Sequence, residues 1–276
     1  MTLLEFYQLK ENPFSTAIDS RYFYRAPQLG DTLERLMNAA ENMKGLAVVV
    51  GDVGTGKTML ATRLLEELEA GPYEAALLIV LHQAVTSEWM LRKIALQMDV
   101  EKPGETKTDL LTQLSQRLSE VYESGKKAVV LIDEAQMLRS RELMQDFRGL
   151  LNIEFSGRKA VTFVLFGLPE LDEVLSLDRP LHQRIAGRYE LTSLDTTGTE
   201  AYVNYRLRIA GADDTMFTPD TFAVIRRYSR GIPRLINTLC DNALLEGYLR
   251  KQDRLGADLI HEIARDLKLG GQGVER

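Results

Sequence analysis

The chain has 276 residues, 45% hydrophobic and 27% charged, which suits one large α/β domain with a small companion and gives no sign of a disordered or fibrous class. A net charge of −6 excludes a surface that traps polyanions indiscriminately, while leaving room for a local basic face. The single Cys240 excludes an internal disulfide, no apolar run approaches membrane-spanning length, and Glu5, Lys10 and Glu11 interrupt any signal-peptide core, so a soluble protein of the reducing cytoplasm with no direct membrane insertion is expected.

Residues 1–40 read as an entry segment expected to pack on the core. Aromatics gather in Phe6-Tyr7, Asn12-Pro13-Phe14 and Tyr22-Phe23-Tyr24. They suit either a satellite cluster that fastens the N-terminus or a platform beside an adenine base, because aromatic faces stack on purines. Leu29, Leu33, Leu36, Met37 and Ala40 then keep helical spacing up to Met43.

An apolar run from Leu46 to Val50 predicts a buried strand. It leads into Gly51-Asp52-Val53-Gly54-Thr55-Gly56-Lys57-Thr58, which matches G-x-x-x-x-G-K-[ST] at every specified position. Glycines let successive backbone N–H groups turn into one anion-sized nest, and the helix opening at Lys57 and Met59 adds its positive end. Gly51 to Met59 are therefore the expected nucleotide-binding set. Lys57 is placed to meet the β/γ-phosphates and Thr58 to hold Mg²⁺, so ATP with Mg²⁺ is the expected cofactor pair.

The helix after this P-loop runs through Leu68 and stops at Gly71-Pro72. Ala75–Val80 predicts a second strand, and Trp89 to Met98 and Leu110 to Val121 predict helices. A third apolar strand from Ala128 ends in Asp133-Glu134. Asp133 is expected on the metal and Glu134 on the attacking water. A strand ending in solvated acids is common, and the P-loop upstream is what favours the catalytic reading. Ala160–Phe166 is the next buried strand. The following segment carries Arg179, His182, Arg184 and Arg188, either a solvated face or a source of an intermolecular arginine for a neighbour's γ-phosphate.

Beyond Leu191 the patterns at 200–210, 219–229 and 235–251 are all helical. The expected fold is thus α/β: a P-loop parallel-sheet core over 41–191, a small helical domain over 192–269, and a flexible tail at 270–276 around Gly270-Gly271-Gln272-Gly273.

With the P-loop, Asp133-Glu134-Ala135-Gln136 and Gly231-Ile232-Pro233-Arg234-Leu235-Ile236-Asn237 in view, the chain resembles AAA+ ATPases. It looks most like the ATPase domain of the general secretion pathway protein A family, which includes relatives from pilus biogenesis. The likeness runs from Phe6 to about Leu267 and takes in Asn12-Pro13-Phe14, Pro169-Glu170-Leu171, Gln183-Arg184-Ile185 and Tyr228 to Asn237. Similar modules serve transposition, where they assemble on DNA and control a transposase.

This resemblance implies that the C-terminal helical domain is a lid and that Arg234 is its sensor-2 arginine, touching γ-phosphate. It makes Arg184 the first choice for an arginine finger toward the next subunit, with Arg188 and Arg179 behind it. It implies an ATP-dependent homo-oligomer, ring or filament, serving a secretion or pilus component, or alternatively DNA and a transposase. Full-length secretion members also carry a membrane span and a peptidoglycan-binding region, which residues 1–276 are not expected to contain. Members often have Gly-Gln-Pro-Glu-Leu where this chain has Gly167-Leu168-Pro169-Glu170-Leu171. Leu168 cannot polarise a water or contact phosphate, a departure from the usual sensor-1 group.

Overall fold

The computed structural model describes residues 1–269; the glycine-rich tail expected at 270–276 lies outside them. The chain forms two compact units. One holds Pro27–Val53 and Lys57–Leu191; the other holds Met1–Ala26, Gly54–Gly56 and the described residues from Thr192 on.

The first unit is built on β1 (Leu46–Gly51), β2 (Tyr73–Ile79), β3 (Lys127–Asp133), β4 (Val161–Gly167) and β5 (Ile185–Leu191). They form one sheet in the order β2-β3-β4-β1-β5, with every pairing parallel. Around it lie α1 (Pro27–Glu41), α2 (Lys57–Glu69), α3 (Ser87–Gln97), α4 (Lys107–Glu123) and α5 (Arg141–Leu150). β1 and β4 are buried along their whole length, and that is why both read as apolar runs, interrupted only by Thr162 of β4: a parallel strand covered on both faces has no solvent side to show. Leu165 of β4 pairs with Val48 of β1 on one side and Ile132 of β3 on the other. The C-terminal ends of β1 and β3 therefore flank the end of β4, where open parallel sheets place their chemistry.

Two elements of this unit escape the pattern reading. β5 alternates, with Ala186, Arg188 and Glu190 exposed and the residues between them turned inward. An edge strand needs only one buried face, so its charged residues read as a solvated face rather than as a strand. α5 is capped by Ser140, whose side chain accepts from the Leu143 N–H, and buries Leu143, Met144, Phe147 and Leu150, a helical i, i+1, i+4, i+7 face.

The second unit contains α6 (Thr196–Ile209), α7 (Thr221–Ser229), α8 (Pro233–Leu249) and α9 (Ala257–Asp266). Val203, Leu207, Phe217, Ile225, Ile236, Leu239, Cys240 and Ile260 form its core. Burial pushes the Cys240 thiol well above its ordinary value, which leaves it inert.

The expectation that residues 1–40 form one segment on the α/β core is corrected. Residues 27–41 are α1 of the sheet unit, but Met1–Ala26 packs in the helical unit. Phe14 is fully buried edge-on to Phe217. Asn12 donates its side-chain amide to Asp241 of α8 and accepts the Phe14 N–H. The buried guanidinium of Arg206 donates to the Pro13 and Ser15 carbonyls and to Tyr202 Oη, and lies 4.5 Å from the centre of the Tyr22 ring. A buried cation is tolerated only with such a shell of acceptors, so the N-terminal strap and α6 require one another. Phe14 and Tyr22 are packing residues of this unit, not an open stacking platform. Phe14→Ala is expected to cost about 3–5 kcal/mol, read as a lower denaturant midpoint with an unchanged slope.

Candidate functional site

At the end of β1 the chain turns through Gly54 and Gly56, whose φ values of 82° and 103° are open to glycine at little cost. The turn delivers Lys57 to the first position of α2. Lys57 is buried, and its Nζ donates to the carbonyls of Gly51 (2.8 Å) and Asp52 (2.9 Å). The loop's own backbone carbonyls thus hold the ammonium. Asp52 and Val53 form the exposed shoulder of the loop.

One residue on, the Thr58 hydroxyl donates to Asp133 Oδ2 at 2.6 Å. Asp133 is 1% exposed at the end of β3, and its other oxygen accepts the Glu134 N–H at 2.9 Å. Burial pushes the Asp133 carboxyl up, against the opposing pull of those two hydrogen bonds. A hydroxyl and a carboxylate side by side are hard oxygen donors that fit Mg²⁺, which keeps most of its coordination for water and phosphate. No group of three or more His, Cys, Asp or Glu among the described residues could hold a metal by itself.

Glu134 takes a left-handed backbone (φ 56°, ψ 34°) immediately after the strand. The Gln136 side-chain NH₂ donates to Glu134 Oε2 at 2.6 Å, and the side-chain Oε1 of Gln136 accepts the Leu168 N–H at 3.1 Å. Gln136 enters the sequence reading only as the last letter of a four-residue motif. Its spacing of two from Glu134 was the available signal, but its partner at residue 168 is visible only once β3 and β4 are neighbours.

A family model described as an AAA domain matches residues 40–175. General secretion pathway protein A of Aeromonas hydrophila is 36% identical over 255 residues, covering 91% of this chain and 46% of that protein. The chain carries an AAA domain over residues 40–175. It spans about half the length of that curated relative. Among solved structures, the Aeropyrum pernix ORC2 protein superposes with a TM-score of 0.71 at 17% identity, covering 93% of this chain and 72% of that one. Cdc6p from Pyrobaculum aerophilum gives 0.72 at 17% identity, over 92% and 70%. The Thermotoga maritima RuvB branch migration motor gives 0.58 at 17%, over 96% and 76%. These likenesses concern the AAA+ fold.

The arginines expected to serve this AAA+ site stand in different settings. Arg184, just before β5, donates through Nη1 to Asn152 Oδ1 (2.6 Å) and more weakly to the Arg148 carbonyl (3.4 Å) at the end of α5. Arg188 on the outer face of β5 is held by both Asp172 oxygens and by Glu190, and Asp172 keeps its guanidinium above the usual range. Arg179 is exposed, and its side chain makes no hydrogen bond or ion pair among the described residues.

In the helical unit Arg234 is exposed in the first turn of α8. Its backbone N–H donates to the Gly54 carbonyl at 3.3 Å. The preceding Gly231 has φ 72°, and a Cβ there would stand 1.9 Å from the Leu194 carbonyl oxygen. Gly231→Ala is therefore expected to unfold the helical unit at markedly lower denaturant, by about 2 kcal/mol or more, checked by hydrogen exchange in α7 and α8. The Gly-Ile-Pro-Arg motif is thus a backbone requirement as well as a source of Arg234.

Proposed function

We propose that this AAA+ chain binds ATP with Mg²⁺ at Gly51–Met59 and hydrolyses it, assembles with nucleotide into a homo-oligomer, and acts in the cytoplasm on a secretion or pilus machine. The observation that carries the chemistry is the cluster of Lys57, Thr58, Asp133 and Glu134 at the ends of β1 and β3. Likeness to General secretion pathway protein A supports the pathway.

In this reading Lys57 leaves its loop carbonyls for the β/γ-phosphates, and Thr58 with Asp133 holds Mg²⁺. Held by Thr58 and Asp133, Mg²⁺ would supply neutralisation of the phosphate charge. Glu134 orients the attacking water and takes its proton. Arg234 is assigned to the γ-phosphate, and Arg184 to a neighbour's nucleotide, on the family resemblance. Without a polar side chain at residue 168, turnover by the isolated chain is expected to be slow.

A phosphate-release assay tests the first claim. Chelating Mg²⁺ should stop turnover, and Lys57→Ala should weaken ATP binding on the order of a hundredfold, because two contacts to charged oxygens at about 1.5 kcal/mol each are lost. Undiminished ATP affinity in Lys57→Ala would refute the phosphate assignment.

The alternative partner is DNA with a transposase. Arg227 and Arg230, exposed at the end of α7, supply part of a basic face that an oligomer would repeat. Fluorescence anisotropy with labelled duplex distinguishes the two readings. A secretion role predicts no binding at moderate salt with or without ATP. Tight, ATP-dependent binding that weakens steeply with salt, as counterion release requires, would select the DNA role instead.

A further inference from the structure

The carboxylate of Glu134 is steered by a neighbour rather than by its own backbone. At φ 56° Glu134 sits where non-glycine residues are uncommon, so neither strand nor helix geometry sets its side-chain direction. Gln136, buried in the single turn Ala135–Met137, supplies the missing hold. A backbone N–H can only donate, so the Leu168 N–H decides which end of the Gln136 amide faces β4. The NH₂ end is thereby turned onto Glu134 Oε2. Gly167 leaves room for this, since a Cβ there would lie 2.8 Å from Gln136 Oε1. The second carboxylate oxygen, Glu134 Oε1, receives no hydrogen bond among the described residues.

We propose that Gln136 is the positioning residue for Glu134, tying one carboxylate oxygen to the end of β4 and leaving the other for the attacking water. This deepens the reading of Glu134 as the base and rests on it. Residue 168 enters through its backbone N–H, a contribution that does not depend on its side chain. The leucine there is then compatible with an ordered base even though it removes a polar group from the phosphate side. β4 lies between β1 and β3, so the same strand end that borders both site-bearing strands also sets the direction of the base.

Two variants of the full chain test this. Gln136→Met keeps the side chain's length and removes both hydrogen bonds. It is expected to lower kcat about 10–100-fold, the loss typical of a misplaced reacting group, while KM and the Kd of a fluorescent ATP analogue stay within about twofold. In the nucleotide-free protein the Leu168 amide proton should exchange about tenfold faster, having lost its acceptor.

Gln136→Glu keeps an acceptor for Leu168 but no longer donates to Glu134. It should slow turnover comparably while the Leu168 amide stays protected. That contrast is one that a packing role alone does not produce, and the second variant still answers if the first fails to fold. Wild-type kcat in folded Gln136→Glu would overturn the proposal. So would a loss in Gln136→Met that merely tracks the folded fraction. Should Glu134→Gln itself turn over ATP at the wild-type rate, the base assignment falls and the positioning role with it, an outcome separable from failure of Gln136 alone.

Discussion

Replacing Glu134 with glutamine is expected to leave ATP binding intact while phosphate release falls by about 10²–10⁴-fold, the usual worth of a positioned proton acceptor. The substitution is nearly isosteric, so the left-handed turn after β3 and the Asp133 contact to the residue 134 N–H are kept. What is lost is the oxygen that accepts the water's proton. Thr58, Asp133 and Lys57 are untouched, and they carry the phosphate and metal contacts in the proposed mechanism. Binding of a fluorescent nucleotide and single-turnover phosphate release, measured side by side, separate the two functions. Equal turnover in variant and wild type would remove Glu134 from the mechanism.

Arg184→Ala is expected to lower the turnover of the assembled protein by roughly 10³–10⁵-fold, the range measured for arginine fingers in GTPases. Arg184 is already oriented, because Asn152 and the Arg148 carbonyl hold one of its nitrogens. A planar guanidinium fixed on one side presents the rest of its fork in a defined direction. Arg188, clasped by Asp172 and Glu190, would have to give up those partners first, so it ranks behind. Arg179, exposed at the first position of the short helix Arg179–His182, has no such side-chain partners to lose.

Mixing Arg184→Ala subunits with Glu134→Gln subunits tests action in trans. The second kind supplies the arginine and the first supplies the base, so activity should return in part. No recovery, together with a monomeric mass in light scattering with a slowly hydrolysed ATP analogue, would exclude the assignment. Recovery by Arg179→Ala in the same experiment would move the role to Arg179.

The parts legible from sequence are those whose physics is local. The P-loop declares itself because a phosphate nest needs glycine, lysine and threonine at set spacing along a continuous stretch, and residues 51–58 supply them unaided. β1, β3 and β4 are legible because strands covered on both faces must be apolar along nearly all their length. Asp133 and Glu134 follow from standing at the end of such a strand downstream of a P-loop.

Tertiary structure alone decided the rest. β5 shows its charged face to solvent, so only its pairing with β1 makes it a strand. The aromatics of residues 1–26 state that something is buried but not against what; Arg206, nearly two hundred residues away, settles that through the Pro13 and Ser15 carbonyls. Gln136 becomes meaningful only when β4 is placed beside β3 and brings the Leu168 N–H within reach. Each of these depends on a partner far off in sequence, and neither composition nor periodicity encodes which distant residue will satisfy a buried polar or aromatic group.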